Sequence, residues 1–156
     1  MTVELAEVNV ALPQGRLDEP VMAGFVKAVG DVNWLAERSD GFVWRRKAED
    51  GPVILRPFED EERVIVTLST WVDFASLQKY VYRTAHALFM GRRGRWFTPL
   101  GGFTTALWWV EAGAQPSIDE GLERLEHLRR KGPSAHAFSL RMQFDPDGRR
   151  ALPGRP

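Results

Sequence analysis

Cysteine is absent from the 156 residues, and this excludes disulfide bonds, thiolate metal sites and cysteine nucleophiles together. A net charge is absent as well, because 21 lysine and arginine residues balance 21 aspartate and glutamate residues. Domains dedicated to nucleic acid are usually basic, so we expect no nucleic-acid partner. No apolar run is long enough to span a membrane, and Glu4 and Glu7 interrupt the segment where a secretory signal needs its apolar core. The sequence predicts a cytoplasmic protein with no membrane partner.

The length and composition are those of one ordinary domain. The residues are 44% hydrophobic and 27% charged, and a chain of this size buries a single core. Hydrophobic patterning ends near Phe144, and the remaining residues are rich in proline, glycine and arginine without periodicity. We interpret residues 1–144 as one domain and residues 145–156 as a flexible carboxy-terminal tail.

Strand-like and helical patterns alternate in the order β-α-β-β-α-β, followed by one more helix and one more strand. Strands are predicted over Val3–Val10, Phe42–Glu49, Arg63–Trp71, Thr104–Glu111 and Phe138–Phe144, and helices after the capping residues Asp18, Asp73 and Ser117. This order implies an α+β sandwich, an antiparallel sheet with helices on one face. The other sheet face is then open, and a second copy of the chain is its simplest cover. We therefore expect a homodimer.

The strand over Arg63–Trp71 has two different faces. One face carries Val64, Val66 and Leu68, and the other carries the mixed set Ile65, Thr67, Ser69 and Trp71. The mixed face is suited to line a pocket. By the same alternation, Trp108 and Trp109 cannot both serve one core.

Motifs for nucleotide, phosphate and zinc binding are missing, and the three histidines are not paired at ligand spacing. His127 follows Glu123 by four residues and is interpreted as part of a solvated ion pair. His136 has no partner that the sequence identifies. His86 lies within the second predicted helix, which runs to about Arg92, on a stripe with Tyr82 away from the core face. It is either a half-buried structural histidine or an imidazole directed into a cavity, where it binds a heme iron or moves a proton.

Six tryptophans are many for this length, and two interpretations remain open for them. They fill the core or a dimer interface, or two or three of them stack against a planar ligand. The basic loop Arg92–Arg95 is either a solvated surface or, next to Trp96, a site for a carboxylate or phosphate.

Blocks along nearly the whole chain resemble the family called domain of unknown function 3291. The blocks are Met22–Phe25, Gly41–Arg45, Trp71–Phe74, Tyr80–Arg83 with Ala85-His86, Arg92-Arg93 with Trp96-Phe97, Leu107–Val110, Arg124–Leu128, Gly132-Pro133 and Ala137-Phe138. The segment from Trp71 to His86 also resembles the antibiotic-biosynthesis monooxygenase-like proteins, a superfamily of dimeric α+β barrels. The resemblance implies a ferredoxin-like protomer and a homodimer in which two sheets enclose a space, here with an extra carboxy-terminal helix and strand.

The first functional hypothesis is a small dimeric oxygenase, or a related oxidoreductase, that uses no cofactor and acts on an aromatic or polyketide-like molecule. In this hypothesis His86 is the base, and Tyr82 and Arg83 hold the substrate oxygens. The ring-binding and anion-binding side chains are Trp71, Trp108, Trp44, Trp96 and Arg93.

Two alternatives belong to other classes. Several heme-binding members of the superfamily have their proximal histidine on the helix after the third strand, where His86 stands, so the resemblance implies heme as an alternative cofactor, with Arg93 or Arg95 at the propionates. The other alternative is a non-catalytic ligand-binding or scaffolding dimer. An interior packed to normal density, without space for a ligand, would favour scaffolding.

Overall fold

The computed structural model describes residues 2–85 and 92–151. Within these ranges the strands are β1 (Val3–Pro13), β2 (Phe42–Arg45), β3 (Ile54–Phe58), β4 (Glu61–Trp71), β5 (Phe97–Thr98) and β6 (Thr105–Glu111). The helices are α1 (Ala23–Glu37), α2 (Phe74–Tyr80), α3 (Arg93–Trp96) and α4 (Ile118–Lys131). No helix in the described ranges is both long and apolar enough to cross a membrane.

The sheet is antiparallel, with β4 and β1 at its centre. Leu5 lies opposite Trp71 and Ala11 opposite Ile65 along this central pair. Strands β2 and β3 both pair with the outer edge of β4, whereas β6 pairs with the other edge of β1. The resulting order, β2 and β3, then β4, β1 and β6, is the ferredoxin-like arrangement. The predicted α+β fold class is confirmed.

The two faces of β4 differ as the alternation predicts. Val64, Val66 and Leu68 belong to a fully apolar core that also contains Val8 and Trp108. The other face of the sheet meets α1 and α2. Alternation along an extended strand sends successive side chains to opposite faces, which explains why one strand serves two environments.

Helix α4 covers the sheet face that the sequence analysis expected to be open. Its buried residues Leu125 and Leu128 pack in the same core as Val8 and Leu68. The Ser117 hydroxyl accepts a hydrogen bond from the Glu120 amide at 3.0 Å, as the predicted cap requires. The helices of the ferredoxin-like unit thus lie on one face and the additional helix on the other. The expectation of an open face, which was one reason to expect a dimer, is therefore wrong for this fold.

The first two helices also differ from their predicted limits. Asp18 caps no helix; a single 3₁₀ turn, Pro20–Met22, precedes α1. The predicted cap of α2 is confirmed, because Asp73 Oδ1 accepts from the Ser76 amide at 2.8 Å. Helix α2 ends at Tyr80, however, and the chain widens into one π turn over Val81–Ala85. The prediction of an uninterrupted α-helix beyond Tyr80 is therefore wrong. The i+5 hydrogen bonding of a π turn replaces the i+4 hydrogen bonding of an α-helix over Val81–Ala85.

The predicted final strand over Phe138–Phe144 does not form. Phe138 makes two backbone hydrogen bonds with Leu107, at 2.8 and 2.9 Å, and then a turn leads the chain away from the sheet edge. In this turn the Ser139 hydroxyl accepts from the Met142 amide at 3.1 Å. The segment predicted as a tail begins with another turn, in which Asp145 Oδ1 accepts from the amides of Asp147 and Arg149.

Candidate functional site

A cavity of about 400 Å³ lies between the sheet and the helices α1 and α2. Its walls are mostly apolar and include four aromatic side chains from different elements, Phe42, Trp71, Tyr80 and Phe97. This volume is within the range of small-molecule sites, which starts near 300 Å³. The interior of one chain is therefore not packed solid, and this counts against pure scaffolding.

The floor of the cavity consists of cross-strand rows of side chains. In one row Ser69 lies opposite Glu7, and in the next Thr67 lies opposite Asn9. Asn9 continues this second row to Thr105 on β6, to which its Nδ2 donates at 2.6 Å. A sheet face that packs against helices is usually apolar. The two polar rows on this face therefore indicate a role other than core packing, and we treat them as candidate ligand-binding residues.

Glu7 is the one floor residue whose ionisation is strongly perturbed. Its side chain lines the cavity and is partly buried, with some of its surface still accessible from the cavity space. Burial raises the pKa of Glu7 to about 7, while its hydrogen bond with Ser69 acts in the opposite direction. Burial raises the pKa because the charged carboxylate loses its hydration. Glu7 can therefore both release and take up a proton near neutral pH.

A short hydrogen-bonded chain connects Glu7 with the aromatic wall. The indole Nε1 of Trp71 donates to the Ser69 hydroxyl at 2.9 Å. Because an indole only donates, the Ser69 oxygen is the acceptor there, and its own proton is directed to Glu7 Oε2 at 3.5 Å. The second contact is long and therefore weak. The chain favours the ionised form of Glu7, since Ser69 donates to it.

Tyr80 forms the wall beside this chain. Its ring stacks on Trp71 with centroids 5.1 Å apart, and its hydroxyl donates to the Val32 carbonyl at 3.3 Å. Burial and, to a smaller extent, the charge of Glu7 raise the pKa of Tyr80, whereas Arg45 lowers it. Tyr80 is thus a neutral phenol at physiological pH.

One cation is fixed at the cavity wall. Arg45 lines the cavity, and its Nε donates to Glu37 Oε1 at 2.7 Å. This hydrogen bond lowers the pKa of Glu37 and keeps its carboxylate charged. The pair anchors the guanidinium of Arg45 beside the aromatic wall.

The structure separates the predicted ring-binding tryptophans. Trp71 lines the cavity, and Trp96 lies behind it, buried against Phe25 with ring centroids 5.9 Å apart. Trp108 is fully buried beneath α4, and Trp44 packs against the same opposite core. Trp108 and Trp44 therefore do not line this cavity, because strand alternation places both on the other face of the sheet, and their predicted ligand-binding role stays a prediction.

The predicted polar site residues on the second helix are not in the cavity wall. Tyr82 is 51% exposed and Arg83 is exposed. The tyrosine in the wall is Tyr80, two residues earlier. The sequence analysis counted an ideal α-helix through this segment, whereas the structure has the π turn. His86 and the side chain of Arg93 lie outside the described residues, so their predicted roles stay predictions.

Sequence analysis did not assign chemistry to Glu7, Asn9, Ser69 or Arg45. A signal was present on β1, where Glu7 and Asn9 interrupt one face of a strand whose other face is apolar after Glu4. Only the neighbouring strands and helices show that this face is enclosed. Burial, and not the residue type, distinguishes Glu7 from an ordinary surface carboxylate.

The other two histidines, His127 on α4 and His136 in the segment after it, form a cluster that differs from the prediction. His136, and not His127, contacts Glu123, with Nε2 3.0 Å from the carboxylate. Arg124 also donates to the His136 carbonyl at 2.8 Å. The ring of His127 lies 4.5 Å from that of His136. Across residues 2–85 and 92–151, no group of three or more such side chains is arranged to hold a metal ion.

The fold is similar to several solved structures at low sequence identity. SnoaB, a cofactor-independent oxygenase from Streptomyces nogalater, is 15% identical; the match covers 75% of this chain and 98% of that chain, with a TM-score of 0.44. A protein of unknown function from Nitrosomonas europaea is 14% identical, with coverages of 74% and 95% and a TM-score of 0.47. A protein from Pseudomonas aeruginosa is 10% identical, with coverages of 73% and 98% and a TM-score of 0.47.

A search of curated proteins found no match. The model of a protein family described as domain of unknown function (DUF3291), by contrast, matches residues 4–153. This match includes all the strands and helices described above except Val3, the first residue of β1, as well as the sequence blocks that carry the resemblance. The chain belongs to the DUF3291 family.

Proposed function

We propose that the protein is a cofactor-independent oxygenase that binds a planar phenol or enol in the cavity, with Glu7 as the general base. The observation that carries this proposal is a carboxylate with a pKa of about 7 at the floor of an aromatic-walled cavity. A general base is most effective when its pKa is close to the working pH. The proposal moves the base from the predicted His86 to Glu7, whose surroundings are described.

The proposed reaction begins when Glu7 takes the hydroxyl proton of the substrate. The resulting anion is electron-rich and gives one electron to dioxygen, and the substrate radical and superoxide combine at a ring carbon to form a peroxide anion. Protonated Glu7 returns its proton to this anion, which gives a hydroperoxide and restores the base. Loss of water from this hydroperoxide leaves a carbonyl. For a simple phenol the balance is one phenol plus one dioxygen to one quinone plus one water. One oxygen atom enters the product, and the other leaves as water.

The aromatic wall has a binding role in this proposal. Trp71 and Tyr80 offer ring faces and edges to a planar substrate, and such contacts contribute about 1 kcal/mol each beyond the area they bury. Arg45 supplies a positive charge that stabilises the substrate anion once Glu7 has taken the proton. Partial burial of the floor strengthens the effect of this charge, since electrostatic interactions are stronger at low dielectric.

No second function is proposed for this cavity. The heme alternative depends on His86, which is outside the described residues, and no histidine, methionine or cysteine belongs to the described cavity wall. A tyrosine oxygen can also bind heme iron, but the Tyr80 hydroxyl in this wall donates its hydrogen bond to the Val32 carbonyl. Heme binding therefore stays a prediction, and the absorption spectrum of the protein mixed with hemin tests it.

The test uses purified protein with a panel of phenols and enols under oxygen. Oxygen consumption and product mass are measured with the parent chain and with Glu7→Gln. We expect the variant to lose about a hundredfold or more in turnover, because general-base catalysis contributes roughly 10²–10⁴. Glu4→Gln is the matched control, since Glu4 is on the same strand with its side chain on the opposite face.

His86→Ala separates the two assignments of the base. We expect it to retain the turnover of the parent within a few fold. If His86→Ala abolishes turnover while Glu7→Gln keeps it, the base is the histidine and the assignment to Glu7 is wrong. If no phenol or enol consumes oxygen with the parent protein, the oxygenase proposal itself fails.

A further inference from the structure

We infer that the row Thr67, Asn9 and Thr105 is a second polar subsite, which binds a hydroxyl or carbonyl oxygen at the far end of the substrate's ring system. The inference rests on the proposed function in one respect, namely that the near hydroxyl of the ring lies at Glu7. It names the substrate class as a fused-ring molecule that carries oxygen at both ends.

The position of the row carries the first step of this inference. The three side chains lie next to each other across β4, β1 and β6, on the face of the sheet that forms the cavity floor. Their neighbours along the strands, Val66, Leu68 and Val8, are buried in the opposite core. The polar row thus lies on the accessible floor of the cavity, with Asn9 and Thr105 partly buried and Thr67 exposed.

The hydrogen bond within the row fixes what it offers to a ligand. Asn9 Nδ2 donates to Thr105 Oγ1 at 2.6 Å, which orients the amide. A primary amide has a second N–H and a carbonyl oxygen in addition, and each threonine hydroxyl donates one proton. The row therefore presents both donors and acceptors, and this combination matches a hydroxyl or carbonyl oxygen.

The spacing between the two subsites sets the size of the ligand. Glu7 and Asn9 are two residues apart on one face of β1, and a strand advances about 3.4 Å per residue, so their side chains leave the backbone about 7 Å apart. A single benzene ring with one hydroxyl reaches only one subsite. A fused two-ring system with oxygen at opposite ends reaches both.

Two probes that differ by one oxygen atom test this inference. Naphthalene-2,6-diol has hydroxyls at opposite ends of the ring system, whereas 2-naphthol has only one. Binding of each is measured by isothermal titration calorimetry under nitrogen, so that no oxygen is consumed. We expect the parent to bind the diol about fivefold more tightly, since one added net hydrogen bond is worth about 1 kcal/mol.

Isosteric variants assign this preference to the row. Thr67→Val and Asn9→Leu should bring the affinity ratio of the two probes close to one and leave the affinity for 2-naphthol within a few fold. Thr70→Val is the matched control, because Thr70 is on the same strand but is buried on the opposite face. It should keep the parent's ratio.

The failure of the subsite and the failure of the proposed function have different signatures. A parent that binds both probes equally, binds neither, or shows the same ratio as Thr67→Val and Asn9→Leu overturns the subsite. A parent that prefers the diol but consumes no oxygen with any phenol or enol retains the subsite and loses the oxygenase. A parent that consumes oxygen with a phenol or enol but shows no preference for the diol retains the oxygenase and loses the subsite.

Discussion

At the scale of single residues, Glu7 is the least ordinary side chain of the described chain. A buried carboxylate destabilises a fold unless it is paired or protonated. Burial raises the pKa of Glu7 to about 7, so both protonation states are populated near neutral pH. Ser69 offers only a long hydrogen bond. The site therefore keeps Glu7 balanced between its two protonation states instead of fixing one of them.

Glu7 should make the stability of the protein depend on pH. Its pKa is about 7 in the folded chain and near 4.5 when unfolded, so the folded chain holds more protons between these values and the free energy of unfolding falls as pH rises through them. Glu7→Gln removes this effect. Urea unfolding should show the variant more stable than the parent at pH 8, by up to about 3 kcal/mol, and similar at pH 5. A variant less stable than the parent at pH 8 would contradict the buried, perturbed carboxylate.

Ser69 should tune the proton affinity of Glu7. Ser69→Ala removes the hydroxyl that donates to the carboxylate, and we expect the pKa of Glu7 to rise further above 7. The measurement is a pH titration of the carboxyl carbon by NMR on glutamate-labelled protein, with Glu7→Gln to assign the signal. Ser69→Thr keeps a hydroxyl and should stay closer to the parent. An unchanged or lower value in Ser69→Ala would show that the long contact has no effect.

At the scale of elements, β1 and β4 each serve two purposes through their alternation. One face of this central pair packs under α4, and the other forms the cavity floor. Tight contact on the α4 side fixes the strands: a Cβ at Gly121 would lie 3.1 Å from Val8 Cγ2. A small residue on α4 thus brings the helix close to the central strand.

Two glycines in helices should respond differently to alanine. Gly30 in α1 has nothing within 4 Å of an added Cβ, so Gly30→Ala should raise the free energy of unfolding by about 1 kcal/mol through helix propensity. Gly121→Ala gains the same propensity but forces α4 away from Val8, and we expect it to be less stable than Gly30→Ala. Urea unfolding of both variants checks this. Equal gains would mean that α4 is not closely packed.

The position at which helix α2 ends determines that Tyr80, and not Tyr82, lines the cavity. The π turn over Val81–Ala85 follows directly after Tyr80, and Tyr80 stacks on Trp71 while Tyr82 is exposed. Such single turns interrupt the regular α-helical count. The choice between the two residues is therefore a property of this element and not of either side chain.

The two tyrosines should also differ in ligand binding. Tyr80→Ala removes part of the cavity wall and should weaken binding of 2-naphthol by about fivefold, because a lost aromatic contact costs about 1 kcal/mol. Tyr82→Ala should leave this affinity within twofold. Calorimetry under nitrogen measures both. A greater loss with Tyr82→Ala would contradict the position of Tyr80 in the wall.

At the scale of the whole molecule, the cavity lies within a single chain. The resemblance implies a binding space between the sheets of two chains, whereas the described cavity lies between the sheet and the helices of the chain itself. The dimer itself stays a prediction that rests on the resemblance. Because α4 covers one sheet face, a dimer would have to use another surface.

Sedimentation equilibrium measures the oligomeric state directly. The predicted homodimer has twice the chain mass of 17.7 kDa. We expect binding of 2-naphthol to be independent of protein concentration, since one chain supplies the described wall. Affinity that falls with dilution, together with dissociation of the dimer, would show that the partner completes the site.

The sequence by itself determined the local features of this protein. Alternation on β4 separates Val64 from Ile65 in any sheet, and the caps Asp73 and Ser117 start their helices through contacts three residues away. The order of elements then restricts the topology to the observed sheet. These features depend on neighbours along the chain, which a sequence displays.

Only the tertiary structure decided where the site is. The packing of α4 over Trp108, the end of the strand pattern after Phe138 and the position of Tyr80 depend on contacts between distant segments. Glu7 is an ordinary carboxylate in the sequence, and its pKa is raised only because the folded chain buries it. Solvation belongs to the folded surroundings of a group, and no pattern of residues along one strand specifies it.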